Sequence, residues 1–499
     1  FSFSCSSKEN RTMTQLSEHY FGDLEAFDEA KMNLEFFSKT FVTPSSMSTT
    51  SLSNNRSFIV VGRKGVGKTA IQMRLASDLG KQGYFTHHFR FMYDLRSDDY
   101  SDVSRTQSDI SYSNATNSKN LFLHYDFRDV WERVFLRRIG ETIRSKGHRN
   151  AFTEMVAPEG SKFKNIFEGL TKSLKIKVAA PIGSFMAEVG FDASELATND
   201  LISLKTFNQV SRELFNKYCS QFRFYFFVDE LVFSRLDAKP DEITLRAAMV
   251  RDIIRTAWEL NVFSATNNLD FHFICTMRPE IKNLINEHDS EAGKFLDGKD
   301  VELSWISTDG GEGRLITEVL RAKVKYSHIS NPNFETFVTQ KIHFENRTDT
   351  LEEFLITNTW GRPRDIVRLL LAIRKKSPNA NEIQEKQIKA ALDDYSRSSS
   401  KELIDELGVS YGRTILDALR KGLTKKNYNS KQELWDAVAP HLDGNTPHGL
   451  IGELFDLGAI GGYDSDKGHY FWAHRGSTYL NPNKRIRIHP ALWNEFGIR

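Results

Sequence analysis

Cysteine is scarce in this chain, and its spacing excludes two common kinds of site. The 499 residues contain three cysteines, Cys5, Cys219 and Cys275, which lie far apart and form no C-x-x-C pair. Neither a disulfide framework nor a zinc site is therefore expected.

Long apolar runs and a strong net charge are also missing. No segment approaches the ~18 consecutive apolar residues that predict a membrane-spanning helix. Phe1 to Ser7 lacks the basic-then-apolar order of a signal peptide, so we expect a cytoplasmic protein. A net charge of +2 argues against a broad polyanion-binding surface. The contents of 39% hydrophobic and 26% charged residues are typical of a globular protein, here with roughly two to four domains.

A glycine-rich stretch after a short apolar strand is the main chemical signal. Gly62 to Thr69 matches the P-loop pattern G-x-x-x-x-G-K-[ST] at every fixed position, between apolar Phe58 to Val61 and a helical pattern. In such a loop, backbone N–H groups surround phosphates, the lysine reaches the β- and γ-phosphates, and the hydroxyl binds Mg²⁺. A glycine turn that binds nothing is the alternative, and the full match argues against it. The predicted ATP-binding residues are Gly62, Gly65, Val66, Gly67, Lys68, Thr69 and Ala70.

A second signal is a nearly continuous aromatic and β-branched run that ends in two carboxylates. Phe222 to Val228 has the composition of a central strand covered on both faces, and Asp229 and Glu230 follow it. In a Walker B element the first carboxylate holds Mg²⁺ and the second polarises the attacking water. We interpret Asp229 and Glu230 in this way. The alternative is a strand that merely ends in acidic loop residues.

A third apolar run ends in a threonine and an arginine. Phe271 to Met277 reads as a buried strand, and Thr276 and Arg278 stand at its end, before Pro279. We predict that this strand lies next to the Walker B strand and that Thr276 and Arg278 read the γ-phosphate. The alternative for Arg278 is an ordinary surface residue.

A helical region follows the core, from Leu315 to about residue 396. Within it, Gly361-Arg362-Pro363-Arg364 precedes an apolar helix face, and proline suits the first turn of a helix. Arg364 would then lie beside a helix start and could reach the nucleotide across a cleft.

Three further segments flank or interrupt the core. Residues 13–41 carry apolar residues at roughly helical spacing. Their phenylalanines either cover the adenine base or pack in a core: Phe36, Phe37 and Phe41. Residues 96–120 are polar and predict a loop. Residues 174–191 predict an inserted hairpin, whose strands are Lys175 to Ala179 and Phe185 to Phe191.

The order of these motifs resembles the AAA+/STAND superclass of P-loop ATPases over about residues 20–396. The P-loop itself is similar to those of bacterial ATPases linked to phage-defence loci. The resemblance implies Lys68 and Thr69 at the phosphates and Mg²⁺, Asp229 and Glu230 as Walker B, Arg278 as a sensor, and Pro363 with Arg364 as the lid contact. No arginine finger is evident, since four candidates have ordinary helical contexts: Arg251, Arg255, Arg314 and Arg321. This favours a switch-like ATPase with slow turnover.

The last hundred residues resemble a winged helix. Helical patterns cover 412–423, 431–441 and 446–457, and two aromatic strands cover 458–464 and 469–475. DNA binding would use Lys467, Arg475, Lys484, Arg485 and Arg487. From Lys401 onward, thirteen Lys and Arg face twelve Asp and Glu. Because nonspecific DNA affinity needs concentrated positive charge, this balance favours a packing or partner-docking module.

Together these signals predict an α/β fold, with a P-loop NTPase core built on a parallel sheet, an all-helical lid and a winged-helix-like domain. The predicted domains are an N-terminal helical segment and linker, the core with its inserted loop and hairpin, the lid, and the C-terminal domain, at 1–55, 56–310, 311–396 and 397–499. The predicted function is a Mg²⁺-dependent ATPase switch that controls a partner effector, in anti-phage defence, with a homo-oligomer as a further expectation and no membrane partner. An ATP-dependent DNA-binding regulator or loader is the alternative.

Overall fold

The computed structural model describes most of the chain, in segments separated by short gaps. The described residues are 15–44, 46, 52, 57–91, 93–95, 126–158, 167–170, 173–177, 182–190, 201–231, 240–305, 314–327, 334–344, 347–411, 414–442, 449–464, 469–475, 477 and 479–498. The polar segment predicted as a loop, 96–120, lies outside them.

Strands and helices alternate through the first part of the described chain. The strands are β1 (Ile59–Val61), β2 (Phe85–Arg90), β3 (Phe167–Leu170), β4 (Ser173–Lys177), β5 (Leu201–Ser203), β6 (Phe224–Leu231), β7 (Phe271–Met277), β8 (Asp300–Glu302), β9 (Lys341–Phe344), β10 (Arg347–Thr350), β11 (Asn427–Tyr428), β12 (Ile460–Asp464), β13 (His469–Phe471) and β14 (Ile486–Ile488). The α-helices up to β8 are Ala26–Met32, Leu34–Thr40, Lys68–Lys81, Arg128–Ser145, Ala151–Val156, Ile182–Glu188, Leu204–Cys219, Pro240–Thr266, Pro279–His288 and Ser290–Asp297. Those after β8 are Arg314–Lys325, Phe334–Thr339, Leu351–Asn358, Pro363–Lys376, Glu385–Tyr411, Ile415–Gly422, Lys431–Val438, Leu450–Asp456 and Trp493–Phe496.

The chain forms two compact units. The core unit comprises Ser46–Lys64 and Ile71–Leu303. The lid unit comprises Phe1–Ser45, Gly65–Ala70 and Ser304–Arg499. The second half of the P-loop therefore belongs to the lid unit, although the sequence predicts it as part of the core.

A five-stranded sheet organises the core unit, in the order β2-β6-β7-β1-β8. Every pair in it is parallel. The prediction that the Thr-x-Arg strand neighbours the Walker B strand is confirmed, because β7 pairs with β6. Strand β6 is buried on both faces, as its apolar run predicts, with Phe224, Phe226 and Phe227 fully inaccessible.

Side-chain amides tie two helices to this sheet. Gln72, in the helix that follows the P-loop, donates to the carbonyl oxygens of Val228 (3.1 Å) and Ile274 (3.4 Å). Asn261, in the helix Pro240–Thr266, both donates to and accepts from the backbone of Phe273. These buried hydrogen bonds fix the helices against strands β6 and β7.

The inserted segment differs from the predicted hairpin. Strand β4 confirms the first predicted arm from Lys175 to Lys177, while Val178 and Ala179 lie outside the described residues. It pairs antiparallel with both β3 and β5. The second arm, Phe185 to Phe191, was predicted as a strand, but Ile182–Glu188 is a helix. Seven residues of mixed alternation do not separate the two periods, and Met186, Ala187 and Glu188 are good helix formers.

The lid was predicted as all-helical, but its described residues also contain a pair of strands. Strands β9 and β10 form an antiparallel hairpin between Phe334–Thr339 and Leu351–Asn358. The helix Glu385–Tyr411 is continuous over 27 residues, and the predicted boundary at residue 396 lies within it.

The N-terminal segment, residues 16–40, packs on the lid. The backbone N–H groups of Leu16 and Ser17 donate to the carbonyl oxygens of Ala380 and Pro378, each at 2.8 Å. Phe36 and Phe37 are 6% and 3% exposed. Their burial agrees with the core-packing alternative for these rings.

After Tyr411, the described residues form four α-helices, the last being Trp493–Phe496, and a four-stranded sheet in the order β11-β14-β12-β13. The helices Ile415–Gly422, Lys431–Val438 and Leu450–Asp456 fall within the three predicted helical patterns. The second predicted strand is shorter than expected, because β13 ends at Phe471 and Ala473–Arg475 forms a 3₁₀ turn. In the part of the chain that the structure describes, no helix combines the length and apolarity needed to cross a membrane.

Two histidines lie between the C-terminal strands and Trp360: His489 is buried, and His474 is half-buried with inaccessible ring nitrogens. The rings of His474 and His489 lie 5.4 Å apart, beside Trp472, and Trp360 of the lid donates to the Gly458 carbonyl at 3.0 Å. Neither ring nitrogen of His474 has a hydrogen-bond partner among the described residues. Burial holds the pKa of both rings well below the usual 6.5, and neighbouring positive charge adds to the effect.

This burial predicts that the lid unit loses stability in mild acid. Below pH 6.5 these histidines are protonated in the unfolded chain but stay neutral in the folded protein. The free energy of unfolding therefore falls as pH decreases, by up to about 1.4 kcal/mol per pH unit for each histidine. Urea unfolding followed by tryptophan fluorescence between pH 7.5 and 5.5 measures this slope. His474→Asn should reduce the slope, whereas His441→Asn, at an exposed histidine, should leave it unchanged. An equal slope in all three proteins would contradict the prediction.

Candidate functional site

The P-loop has the backbone that its glycines predict. Gly65 and Gly67 adopt φ angles of 82° and 99°, in the left-handed region that favours glycine. The following helix begins at Lys68, so its first N–H groups stand at the end of the loop. Lys68 and Thr69 are half-buried. This strand–loop–helix arrangement can bind an anion at the helix N-terminus.

Residues of the lid unit contact the second half of the P-loop. The Trp305 indole N–H donates to the Val66 carbonyl at 2.9 Å, and the Arg364 backbone N–H donates to the Gly65 carbonyl at 3.4 Å. A Cβ on Gly65 would lie 3.1 Å from the Arg364 Cβ. The lid residue that the sequence predicted at the nucleotide therefore lies against the P-loop backbone.

Asp229, which the sequence predicts as the Walker B aspartate, is buried and accepts hydrogen bonds from two donors. Asp229 is 3% exposed, and its Oδ1 accepts hydrogen bonds from the Thr276 hydroxyl and, at 2.9 Å, from the Glu230 backbone N–H. Strands β6 and β7 bring Asp229 and Thr276 together, as their neighbouring positions predict. Thr276 thus orients the carboxylate, a contact that the sequence reading did not assign to it.

Glu230 has an unusual backbone conformation. Its φ is 58°, one of two positive values outside glycine in the described residues, and the β6–β7 register shifts between Val228 and Leu231. A side chain in the left-handed region costs roughly 1–2 kcal/mol. Such strain occurs preferentially at functional sites, where the surrounding structure maintains it.

Arg278 directly follows β7 and is the N-cap residue of the helix Pro279–His288. Its Nη1 lies 3.5 Å from Glu280 Oε1, and both side chains are largely buried. Because β1, β6 and β7 are parallel, their carboxyl ends lie at one edge of the sheet. Gly62 and Arg278 directly follow β1 and β7, and Asp229 lies near the carboxyl end of β6. This common edge supports the predicted grouping, while the nucleotide contact of Arg278 stays a prediction.

A largely buried cluster of charged residues lies beside Pro363 and includes Arg364. The sequence analysis did not predict it. We define the lid charge cluster as Arg362, Arg364, Asp365, Arg368, Glu402 and Glu406. Arg362 contacts Glu406 at 2.9 Å, and Arg368 contacts Glu402 at 2.6 Å and Asp365 at 2.9 Å. Burial raises the pKa of Asp365, and the positive charge of the neighbouring arginines partly offsets this rise. Only the short-range pair Asp365–Arg368, three residues apart on one helix, had a local signal.

Several of the other basic candidates have structural partners. Arg251 and Arg255 both contact Asp289, and Arg321 contacts Glu352 at 2.7 Å. The Arg314 side chain lies outside the described residues. Of the residues proposed for DNA, Arg475 donates to lid carbonyls, Arg487 lies over the rings of Tyr470 and Trp493, Lys484 is half-buried, Arg485 is exposed, and Lys467 lies outside the described part.

The strained backbone of Glu230 predicts an inverted order of stability. Glu230→Gly should be about 1 kcal/mol more stable than Glu230→Ala, because glycine relieves the left-handed strain and both changes remove the same carboxylate. Thermal unfolding measures the difference. At His87, in the regular strand β2, the alanine variant should be the more stable one. A glycine variant of Glu230 that is less stable than the alanine variant would contradict the prediction.

Comparisons with known proteins bear mainly on the lid. Residues 314–404 match the model of the FunZ-associated C-terminal helical domain, a range that includes Pro363 and Arg364. A comparison with curated proteins finds no match. Among solved structures, the chain is similar to the Aeropyrum pernix ORC2 protein, solved as ADPNP–ADP complexes, with 11% identity and a TM-score of 0.38 over 92% of this chain and 96% of that chain. The chain is thus an α/β protein with a parallel-stranded core, followed by a lid that is similar to a FunZ-associated helical domain.

Proposed function

We propose that this protein is a Mg²⁺-dependent ATPase that works as a conformational switch. The observation that carries the proposal is the P-loop, which matches its pattern at every fixed position and has left-handed glycines before a helix that begins at Lys68. A loop of this geometry aims N–H groups and the helix dipole at phosphate.

Each proposed role follows from the chemistry of one side chain. Lys68 places a positive charge at the β- and γ-phosphates. Glu230 accepts a hydrogen bond from the attacking water and orients it. Thr276 fixes the Asp229 carboxylate through the hydrogen bond described above. Thr69 and Asp229 offer the hydroxyl and carboxylate oxygens that Mg²⁺ prefers, and the ion would neutralise phosphate charge there.

The lid supports a switch more than a processive motor. Its match to a FunZ-associated domain, and the resemblance of the P-loop to those of defence-linked ATPases, favour control of a separate effector protein. Arg251, Arg255 and Arg321 are ion-paired in their own units, which gives no support to an arginine finger acting across a ring. Defence, the effector and a homo-oligomer are parts of this proposal.

The DNA-binding alternative has less support. Arg475 and Arg487 contact lid carbonyls and aromatic rings, so two of its five cations already have structural roles. ATPase rates with and without duplex DNA, measured across salt concentrations, distinguish it from effector control. A strong, salt-dependent stimulation would favour the DNA regulator.

Removing the P-loop lysine should abolish tight ATP binding and leave the fold intact. Wild type should gain about 2.7 kcal/mol of apparent stability at a hundredfold excess of ATP over its Kd, and Lys68→Ala should lose this gain. Thermal shift with Mg·ATP is the measurement. Lys64→Ala, at a variable position of the same loop, is the matched control and should keep most of the shift. An undiminished shift in Lys68→Ala would reject the assignment.

Neutralising Glu230 should separate binding from turnover. Glu230→Gln keeps the side-chain shape but loses the charge that orients water, so ATP binding should persist while hydrolysis falls by roughly 10² or more. Phosphate release at saturating ATP measures the rate. Glu302→Gln, at an exposed carboxylate of the same sheet, should hydrolyse ATP like wild type. Wild-type turnover in Glu230→Gln would show that another group activates water.

A further inference from the structure

The Arg364 guanidinium is bound on three sides by groups of the lid unit. Its Nε donates to the Leu24 carbonyl at 3.0 Å, its Nη2 contacts Glu25 Oε2 at 3.1 Å, and its Nη1 contacts Glu402 Oε1 at 3.5 Å. Arg364 is the residue that the sequence predicts at the nucleotide. Its guanidinium is nevertheless directed to two carboxylates and one backbone carbonyl.

The two carboxylates hold Arg364 to different degrees. Glu402 is buried, and its stronger contacts are with Arg368, at 2.6 and 3.1 Å. Glu25 lies outside the lid charge cluster and has a side chain that is 55% exposed. Within the cluster, Arg362, Arg364 and Arg368 balance Asp365, Glu402 and Glu406. Glu25 is thus an additional, solvent-accessible carboxylate that contacts Arg364.

The position of Glu25 is fixed by the segment that carries it. Tyr20 donates its backbone N–H to the Ser327 carbonyl at 2.9 Å, Arg374 donates to the His19 carbonyl at 2.6 Å, and Lys323 pairs with Glu29. Glu25 is the residue before the helix Ala26–Met32, but its side chain makes no capping hydrogen bond. Its carboxylate is directed to Arg364 instead of to the helix end that it flanks.

Arg364 also lies against the phosphate-binding loop. Its backbone N–H donates to the Gly65 carbonyl, and a Cβ on Gly65 would lie 3.1 Å from its own Cβ. An arginine fork binds a carboxylate or a phosphate with the same donors, so the two kinds of anion exclude each other on it.

We infer that Glu25 is a competing anion for the proposed nucleotide site, one that occupies Arg364 until a γ-phosphate displaces it. This inference rests on the proposed ATP binding and adds regulation to it by the N-terminal segment. Because Glu25 is half exposed, its pair with Arg364 is weak, and a multiply charged phosphate can displace it. The contact biases the lid against the triphosphate state without preventing it. ADP, which lacks the γ-phosphate, does not compete for Arg364.

The test compares two nucleotides on the full-length chain. Kd values for a non-hydrolysable ATP analogue and for ADP are measured by calorimetry with Mg²⁺ for wild type, Glu25→Gln and Glu35→Gln. Glu35 is the matched control, since it lies on the same segment, is exposed and pairs with Lys39. Glu25→Gln should bind the ATP analogue about two- to fivefold more tightly and ADP with unchanged affinity. The difference should shrink in high salt, and Glu35→Gln should match wild type.

A double variant shows whether the effect passes through Arg364. In an Arg364→Ala background, Glu25→Gln should change neither affinity. An undiminished effect in that background, an equal gain for ADP, or no gain for the ATP analogue would overturn the inference while leaving ATP binding intact. A wild-type chain that binds neither nucleotide would overturn the proposed function, and this inference with it.

Discussion

Parallel pairing of β6, β7 and β1 is the constraint on which the rest of the core depends. These strands are apolar on both faces, so each needs helices on both sides, and the chain must cross over between them. Parallel strands end at one edge, which gathers Gly62, Asp229 and Arg278 although they are far apart in sequence. The parallel topology thus places the polar residues at the ends of these strands side by side. The buried hydrogen bond between Thr276 and Asp229 is one contact that results from it.

The lid depends on a different interaction, its buried charge cluster. Removing one partner from such a cluster typically costs 3–5 kcal/mol, because the remaining charge stays buried without compensation. Its balance of three arginines and three carboxylates therefore keeps the helices Pro363–Lys376 and Glu385–Tyr411 in register. Glu25 lies at the exposed margin of this cluster, where an ion pair stabilises little and can be exchanged. Buried ion pairs thus hold the two helices together, whereas the exposed Glu25–Arg364 ion pair in the same unit is weak enough to be replaced.

Features with a local signal were predictable from the sequence. The helix after the P-loop and the buried β6 strand were confirmed, because a motif and an apolar run each act within a few residues. Strand β13 and the helix Ile182–Glu188 were partly or wholly misread, since short alternating segments fit two periods. The Glu25–Arg364 contact joins residues more than 300 positions apart and leaves no pattern in either neighbourhood. Sequence thus predicts local elements better than it predicts contacts between charged residues that are far apart in the chain.

The uninterrupted helix Glu385–Tyr411 has a mechanical consequence. At 1.5 Å per residue it is about 40 Å long, and its sequence contains no proline and no glycine before residue 408. The C-terminal residues Asn494 and Glu495 bond to Asp393 and Ser396 on it, while the arginines of the lid bond to Glu402 and Glu406 further along. The helix is therefore continuous, with no proline or glycine between these two sets of contacts. A movement of this helix at Glu402 and Glu406 would therefore also move Asp393 and Ser396, and with them the contacts of Asn494 and Glu495.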